Sequence, residues 1–177
     1  TSKAELLKLI FELTRQMREM FSNAFEQINK NFKASFTELF GGGEASLSLG
    51  DGADILECGI DINVEPPGKL IKNLSALSGG EQALVAIAIY FAILRVRPAP
   101  FCILDEIEAA LDEINVGRFA AYLAKMTGNT QFIAITHRRG TMEAADTLYG
   151  VTMQEEGVSK LLALNIGEVE NQLGIKA

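Results

Sequence analysis

The stretch "LSALSGGEQALVAIAIYFAILRVRPAPFCILDEIEAALDE", Leu74 to Glu113, decides how this chain is read. It opens with a serine beside a glycine pair, at Ser78-Gly79-Gly80. The residues from Glu81 to about Arg95 then read as a helix apolar nearly all round, which predicts a buried one. Serine is a preferred helix N-cap. Glycines let backbone N–H groups approach an anion closely, and the helix dipole adds to the pull. Ser78, Gly79 and Gly80, with Glu81 after them, are therefore a candidate seat for a phosphate oxygen, with a plain capped helix as the alternative. Next, "FCIL" at 101–104 follows Pro98 and Pro100 and predicts a parallel strand covered on both faces. Ligands of parallel sheets bind at the carboxyl edge of such strands. There Asp105 suits Mg2+, a hard cation that keeps much of its water. Glu106, one residue on, suits orienting a water for attack. Asp112 stands just before the next helix, where it caps that helix or does something more.

Working outward, a helix is expected over about Ile114–Met126, followed by the strand "TQFIAITH". Strand, helix and strand in so few residues form a βαβ unit, so the fold class is α/β. The second strand ends at Thr136-His137. A single histidine is often structural, but at the same sheet edge as Asp105 and Glu106 it can reach a γ-phosphate or the attacking water. Beyond it, "TLYGVTMQEEGVSKLLALNI" predicts a hairpin turning at Glu156-Gly157.

Upstream, residues 1–40 read as one helix. Leu6, Ile10, Leu13, Met17, Met20 and Ala24 keep the heptad rhythm of a coiled-coil seam. Ile28, Phe32, Phe36 and Phe40 then recur every fourth residue, an aromatic stripe suited to docking on a globular body. Gly41-Gly42-Gly43 ends the helix. Two or three antiparallel strands with a tight turn at Gly50-Asp51-Gly52 follow, and Pro66-Pro67-Gly68 stops them. The expected divisions are 1–40 for the helix, 41–165 for the α/β body and 166–177 for a tail.

Composition narrows the classes. The chain has 177 residues, 48% of them hydrophobic, enough for one domain with a core. The longest apolar run, Ala83–Leu94, falls short of a membrane span, and the opening residues lack the pattern of a signal peptide. A net charge of −7 with no strongly basic run argues against holding nucleic acid by this chain alone. Cys58 and Cys102 sit in apolar runs and are expected to be buried reduced thiols, and one histidine without CxxC gives no zinc site.

Taken in order, LSGGE, an apolar helix, four apolar residues with DE, a short gap to ALD and a strand ending in His form the pattern of the ABC-type ATPases. "PPGKLIKNLSALSGGEQAL", "VRPAPFCILDEIEAALDE" and "TQFIAITHRRGTMEAADTLYGVTMQEEGVSKL" resemble the C-terminal half of the SMC head, of the bacterial chromosome-condensation type. The resemblance is strongest over 66–162 and weaker along the first helix, which would be the end of the returning coiled-coil arm. It implies that GxxxxGK[S/T], absent from this sequence, comes from an N-terminal lobe. It implies ATP and Mg2+ as cofactors, with Asp105 helping to hold the metal, Glu106 activating water and His137 as the switch histidine. Ser78, Gly79, Gly80 and Glu81 match the signature that contacts ATP on a second head, and Asp112 the acid that crosses between heads. Expected partners are the N-terminal lobe, a second head, a kleisin subunit and, through the full complex, DNA. No membrane is expected, and the place is the cytoplasm, at the nucleoid. Gln82 departs from the Arg or Lys that many SMC heads carry after LSGGE. The alternatives are another long coiled-coil ABC ATPase, of double-strand-break repair, or mainly a kleisin-docking module using the terminal hairpin and Phe21–Phe40.

Overall fold

A computed structural model describes residues 2–52, 54–69, 74–128 and 130–165; the expected tail at 166–177 lies outside the described residues. The chain begins with α1 (Ser2–Phe40), a single helix of 39 residues. Its two halves live in different environments. Leu6, Ile10, Leu13, Met17 and Met20 are all exposed, while Phe32, Ser35, Phe36, Leu39 and Phe40 are buried. The change falls where the seven-residue rhythm gives way to a four-residue one. Phe36 and Phe40 stack with ring centroids 4.1 Å apart, and Phe32 meets Phe36 edge-on at 6.1 Å.

What receives this stripe is α2 (Gly79–Val96) and α3 (Glu113–Met126). Phe91 of α2 lies at the centre, with Tyr122 at 5.2 Å and Phe119 and Phe132 both at 6.2 Å. Such tilted and edge-on pairs add to the burial of their area. Inside the same core, the Ser35 and Tyr122 hydroxyls are 2.7 Å apart, so each buried hydroxyl has a partner. At the end of α1 the Phe40 carbonyl accepts a hydrogen bond from Arg118 of α3 at 2.8 Å. Gly41, Gly42 and Gly43 all take positive φ, of 72°, 140° and 83°. At Gly43 a Cβ would stand 2.4 Å from the Glu65 carbonyl oxygen, so the turn excludes a side chain there.

The chain then makes an antiparallel pair, β1 (Glu44–Leu49) with β2 (Ile60–Glu65). These are two strands joined by residues 50–59, not by the tight turn expected at Gly50-Asp51-Gly52. Asp54 organises that connection: its carboxylate accepts from the Leu56 N–H, and the Glu57 and Cys58 N–H groups donate to its carbonyl. Arg18 of α1 forks onto the same carboxylate at 2.6 and 3.0 Å. Pro66-Pro67-Gly68 ends β2 as expected. Cys58 is half-buried rather than buried, whereas Cys102 is buried; both are free thiols.

The α/β centre is β3 (Phe101–Asp105), α3 and β4 (Gln131–Ile135), with β3 parallel to β4. A short helix, α4 (Arg139–Glu143), follows β4; the sequence reading contained no such element. The last strands, β5 (Thr147–Glu155) and β6 (Val158–Asn165), pair as the expected hairpin.

Two expectations of burial are corrected. The β3–β4 pair is covered on one face only. Cys102 and Leu104 are buried, but Phe101, Ile103, Ile133 and Ile135 are exposed. Likewise α2 buries Leu84, Val85, Ile87, Ala88, Phe91 and Ala92 and leaves Tyr90 and Ile93 open. Solid apolar runs report what a segment can bury; these described residues contain only part of the cover. By length and hydropathy alone α2 passes as a membrane span. It is instead capped at its N-terminus and packed against α1.

Phe36→Ala removes a ring from the centre of the stripe and is expected to cost about 3–5 kcal/mol in chemical denaturation, whereas Leu6→Ala, at an exposed position, costs a small fraction of that. A second outcome concerns acid. The Arg18 guanidinium, and after it the Leu56 N–H, lower the Asp54 carboxyl to about 2. The fold thus favours ionised Asp54, and its contribution is full above the ordinary carboxylate range. It disappears as pH falls from about 4 towards about 2. Melting temperatures against pH should therefore separate the parent from Arg18→Ala above pH of about 5 and converge in that acid window.

Candidate functional site

The candidate residues converge because β3 and β4 run parallel and in register. Asp105 pairs with Ile135, so the residues leaving both strands emerge at one edge. The first after β3 is Glu106. Its N–H donates to the Ile135 carbonyl at 2.9 Å, and its φ is 47°. Among the described residues no other non-glycine has a positive φ. A bulky residue held there is strained, by about 1–3 kcal/mol in general, and such strain collects at functional sites. The twist turns the Glu106 side chain toward the end of β4. There His137 Nδ1 lies 3.3 Å from Glu106 Oε1. Both side chains are more than half exposed, at 54% for Glu106 and 65% for His137. An ionised carboxylate offers only acceptors. The contact therefore suits a proton on Nδ1 and leaves Nε2 open.

From Glu106 the chain folds into two overlapping turns. The Ala109 N–H donates to the Glu106 carbonyl at 3.0 Å and the Leu111 N–H to the Glu108 carbonyl at 2.9 Å. Asp112 then caps α3: its carboxylate accepts from the Asn115 N–H at 2.8 Å and the Asn115 side chain at 3.2 Å. Capping is thus one thing Asp112 does in this chain.

The Ser78 loop is built around Glu81. The Ser78 N–H and hydroxyl both donate to Glu81 Oε2 at 2.9 Å, and the Glu81 N–H returns a bond to Ser78 Oγ at 3.3 Å. This is a reciprocal capping box. Lys69 Nζ donates to the other Glu81 oxygen at 2.6 Å. The Lys69 ammonium, and then the Ser78 N–H, hold the Glu81 carboxyl below the usual carboxylate range. Gln82 Nε2 donates to the carbonyls of Leu74 and Leu77 at 3.2 and 3.1 Å. The glutamine that departs from the resembled pattern thus closes the loop in front of Ser78. Gly80 brings this loop to the acidic turn, since a Cβ on it would lie 2.9 Å from the Ala110 carbonyl oxygen.

The structure therefore places Asp105, Glu106 and His137 at one edge, with the Ser78–Glu81 loop in contact with the turn that follows them. Sequence reasoning missed four contributors: Lys69, Glu108, Arg138 and Thr136. Glu108 is 2% exposed and accepts hydroxyl bonds from Thr136 and Thr141. Arg138 donates to the Leu111 carbonyl. The fourth letter of "DEIE" is the one available signal, an acid that the structure buries.

For a metal, the described residues contain no group of three or more His, Cys, Asp or Glu side chains that would form a cage. Asp105 offers one exposed hard oxygen ligand at the strand end. That fits Mg2+, which is commonly held by one or two carboxylates together with substrate phosphates and water.

Comparison with known proteins concerns the chain as a whole. A family model described as the RecF/RecN/SMC N terminal domain matches residues 14–160. A chromosome partition protein Smc of Bacillus subtilis (strain 168) is 55% identical over 169 residues, covering 96% of this chain and 14% of that protein. The Smc of Desulfitobacterium hafniense (strain Y51) is 54% identical over 161 residues, covering 91% and 13%. The chain thus spans about one-seventh of the length of these relatives. Among solved structures, the Pyrococcus furiosus Smc head domain with an extended coiled coil, bound to the C-terminal domain of ScpA, superposes with a TM-score of 0.84 at 39% identity. That match covers 97% of this chain and 43% of that one. A chain from work on ATP-driven dimerization and DNA-stimulated activation of SMC ATPases gives a TM-score of 0.76 at 39% identity, covering 89% of this chain and 95% of that one.

Gly80→Ala is expected to lower the melting temperature or to prise the Ser78 loop from the acidic turn, since its methyl meets a backbone oxygen; amide exchange at 106–112 reads the second effect. Gly79→Ala, with nothing within 4 Å of its Cβ, is the matched control and should leave both measurements close to the parent.

Proposed function

The chain belongs to the RecF/RecN/SMC family, as the C-terminal half of a bacterial SMC head, and on that premise we propose that it acts in ATP hydrolysis between two engaged heads. The observation that carries the proposal is the pairing of Glu106 with His137 at 3.3 Å, beside Asp105, on the carboxyl edge of β3 and β4. In this reading residues 1–40 are the end of a coiled-coil arm and 41–165 the lobe.

The roles follow from position. Asp105 would hold Mg2+, which when bound supplies charge neutralisation to the phosphates. Glu106 orients a water toward the γ-phosphate and takes its proton at a carboxylate oxygen. His137 shares a hydrogen bond with Glu106 through Nδ1 and presents Nε2 to the phosphate or the water. Ser78, Gly79, Gly80 and Glu81 act on nucleotide held by the opposite head: the N-terminus of α2 offers N–H groups, and the Ser78 hydroxyl exchanges Glu81 for a phosphate oxygen. Asp112 reaches across between heads while capping α3. Positioning and charge stabilisation provide most of the acceleration. The grip on the remaining phosphates belongs to an N-terminal lobe bearing GxxxxGK[S/T], which this sequence does not contain.

A neighbour bound to the C-terminal domain of ScpA supports a kleisin-docking role beside the ATPase one. Of the two expected docking surfaces, the helix at Phe21–Phe40 already buries Phe32, Phe36 and Phe40 inside this chain, while Tyr149, Val151, Met153, Val158, Leu161 and Leu164 of the hairpin are exposed. The hairpin is therefore the dock of choice. Chromosome partition, with DNA reached through the full complex in the cytoplasm, is the role that the Smc relatives support. Repair is the less supported alternative.

The test combines this chain with a P-loop-bearing lobe, using the chain alone as the background. Glu106→Gln should bind ATP, abolish turnover and trap joined heads in size-exclusion chromatography. Ser78→Arg should keep ATP binding in its own head and lose joining. Normal turnover by Glu106→Gln, or loss of ATP binding by folded Ser78→Arg, contradicts the assignment.

A further inference from the structure

We infer that Glu108 is the positioning residue that holds Glu106 and His137 in register, an inference whose kinetic arm rests on the function proposed above. The two exposed side chains meet through one long contact, so packing does not aim them. Their backbones must do so, and Glu108 is tied to both. It lies two residues beyond Glu106, inside the double turn, and is 2% exposed. Its Oε1 accepts the Thr136 hydroxyl at 2.5 Å and the Thr141 hydroxyl at 2.9 Å. Those threonines bracket His137, one directly before it and one in α4. The Thr136 oxygen in turn accepts from the Arg138 N–H at 2.9 Å, so the residue after the histidine is held by the same chain of bonds. Arg138 closes the loop by donating to the Leu111 carbonyl, at the far end of the turn.

A leucine would fill the volume of Glu108 without desolvating an acid. What a leucine lacks is an oxygen able to take two hydroxyl donors at once. That capacity is what joins the acidic turn to the histidine segment.

The test uses Glu108→Leu, Glu108→Gln and Thr136→Val/Thr141→Val. In a head completed with the P-loop lobe, the first and third should lower kcat about 100-fold with the KM for ATP unchanged. Glu108→Gln, whose amide oxygen still accepts both hydroxyls, should recover most of kcat. A packing role alone would instead lower stability and leave kcat intact. Glu106→Gln runs beside them. If it turns over normally, the ATPase assignment fails; if it is inactive while folded Glu108→Leu has parental kcat, Glu108 has no positioning role. The 177-residue chain gives a readout without turnover, because it contains one histidine. The NMR ring resonances of His137 should move in Glu108→Leu and return in Glu108→Gln, and unchanged resonances in folded Glu108→Leu overturn the inference. Should Glu108→Leu fail to fold, Thr141→Val, which removes one donor, is read in the same way.

Discussion

A helix as long as α1 has to pass from one environment to another, and the aromatic stripe at Phe32, Phe36 and Phe40 makes that passage. The buried core is arranged around those rings. Phe91 of α2 and Tyr122 and Phe119 of α3 belong to the same buried cluster, and the Ser35–Tyr122 hydroxyl pair satisfies the polar atoms at the join. Without that seat α2 and α3 would lose a common wall, and the loops that start both helices would lose their relative placement. Those loops carry Ser78 and Asp112.

Around this core the candidate site is made by local constraints more than by burial. One left-handed residue turns the chain at the end of β3. One buried acid binds the turn to the segment after β4. One glycine, Gly80, lets the Ser78 loop lie against the turn. Each device is inexpensive in residues, and each fixes a backbone while leaving the side chains above it open to solvent. Exposed acids and an exposed imidazole suit the function proposed for this edge.

Much of this was legible in the sequence. The 39-residue helix, its change of rhythm, the βαβ unit, the hairpin turn and the convergence of Asp105, Glu106 and His137 follow from periodicity and from the parallel-sheet rule. The failures have physical causes. A run such as "FCIL" states how much apolar surface exists and says nothing of whether its cover lies in the same described residues, so Ile103 and Ile133 were expected inside and lie outside. Gly50-Asp51-Gly52 reads as a turn because glycine permits one, but Asp54 organises a wider loop by accepting Leu56 and Arg18. Glu108 was legible only as one more acid, because its meaning depends on Thr136 and Thr141, contacts that no short window of sequence contains.

The three left-handed glycines after Phe40 have a further mechanical effect. They reverse the chain tightly while Arg118 grasps the last carbonyl of α1. Arg118 sits six residues along from Asp112, about 9 Å down the axis of α3 at 1.5 Å per residue. The long helix and the short one thus share one anchoring point. The end of the long helix is thereby fastened straight to the body of the short one, through a single guanidinium.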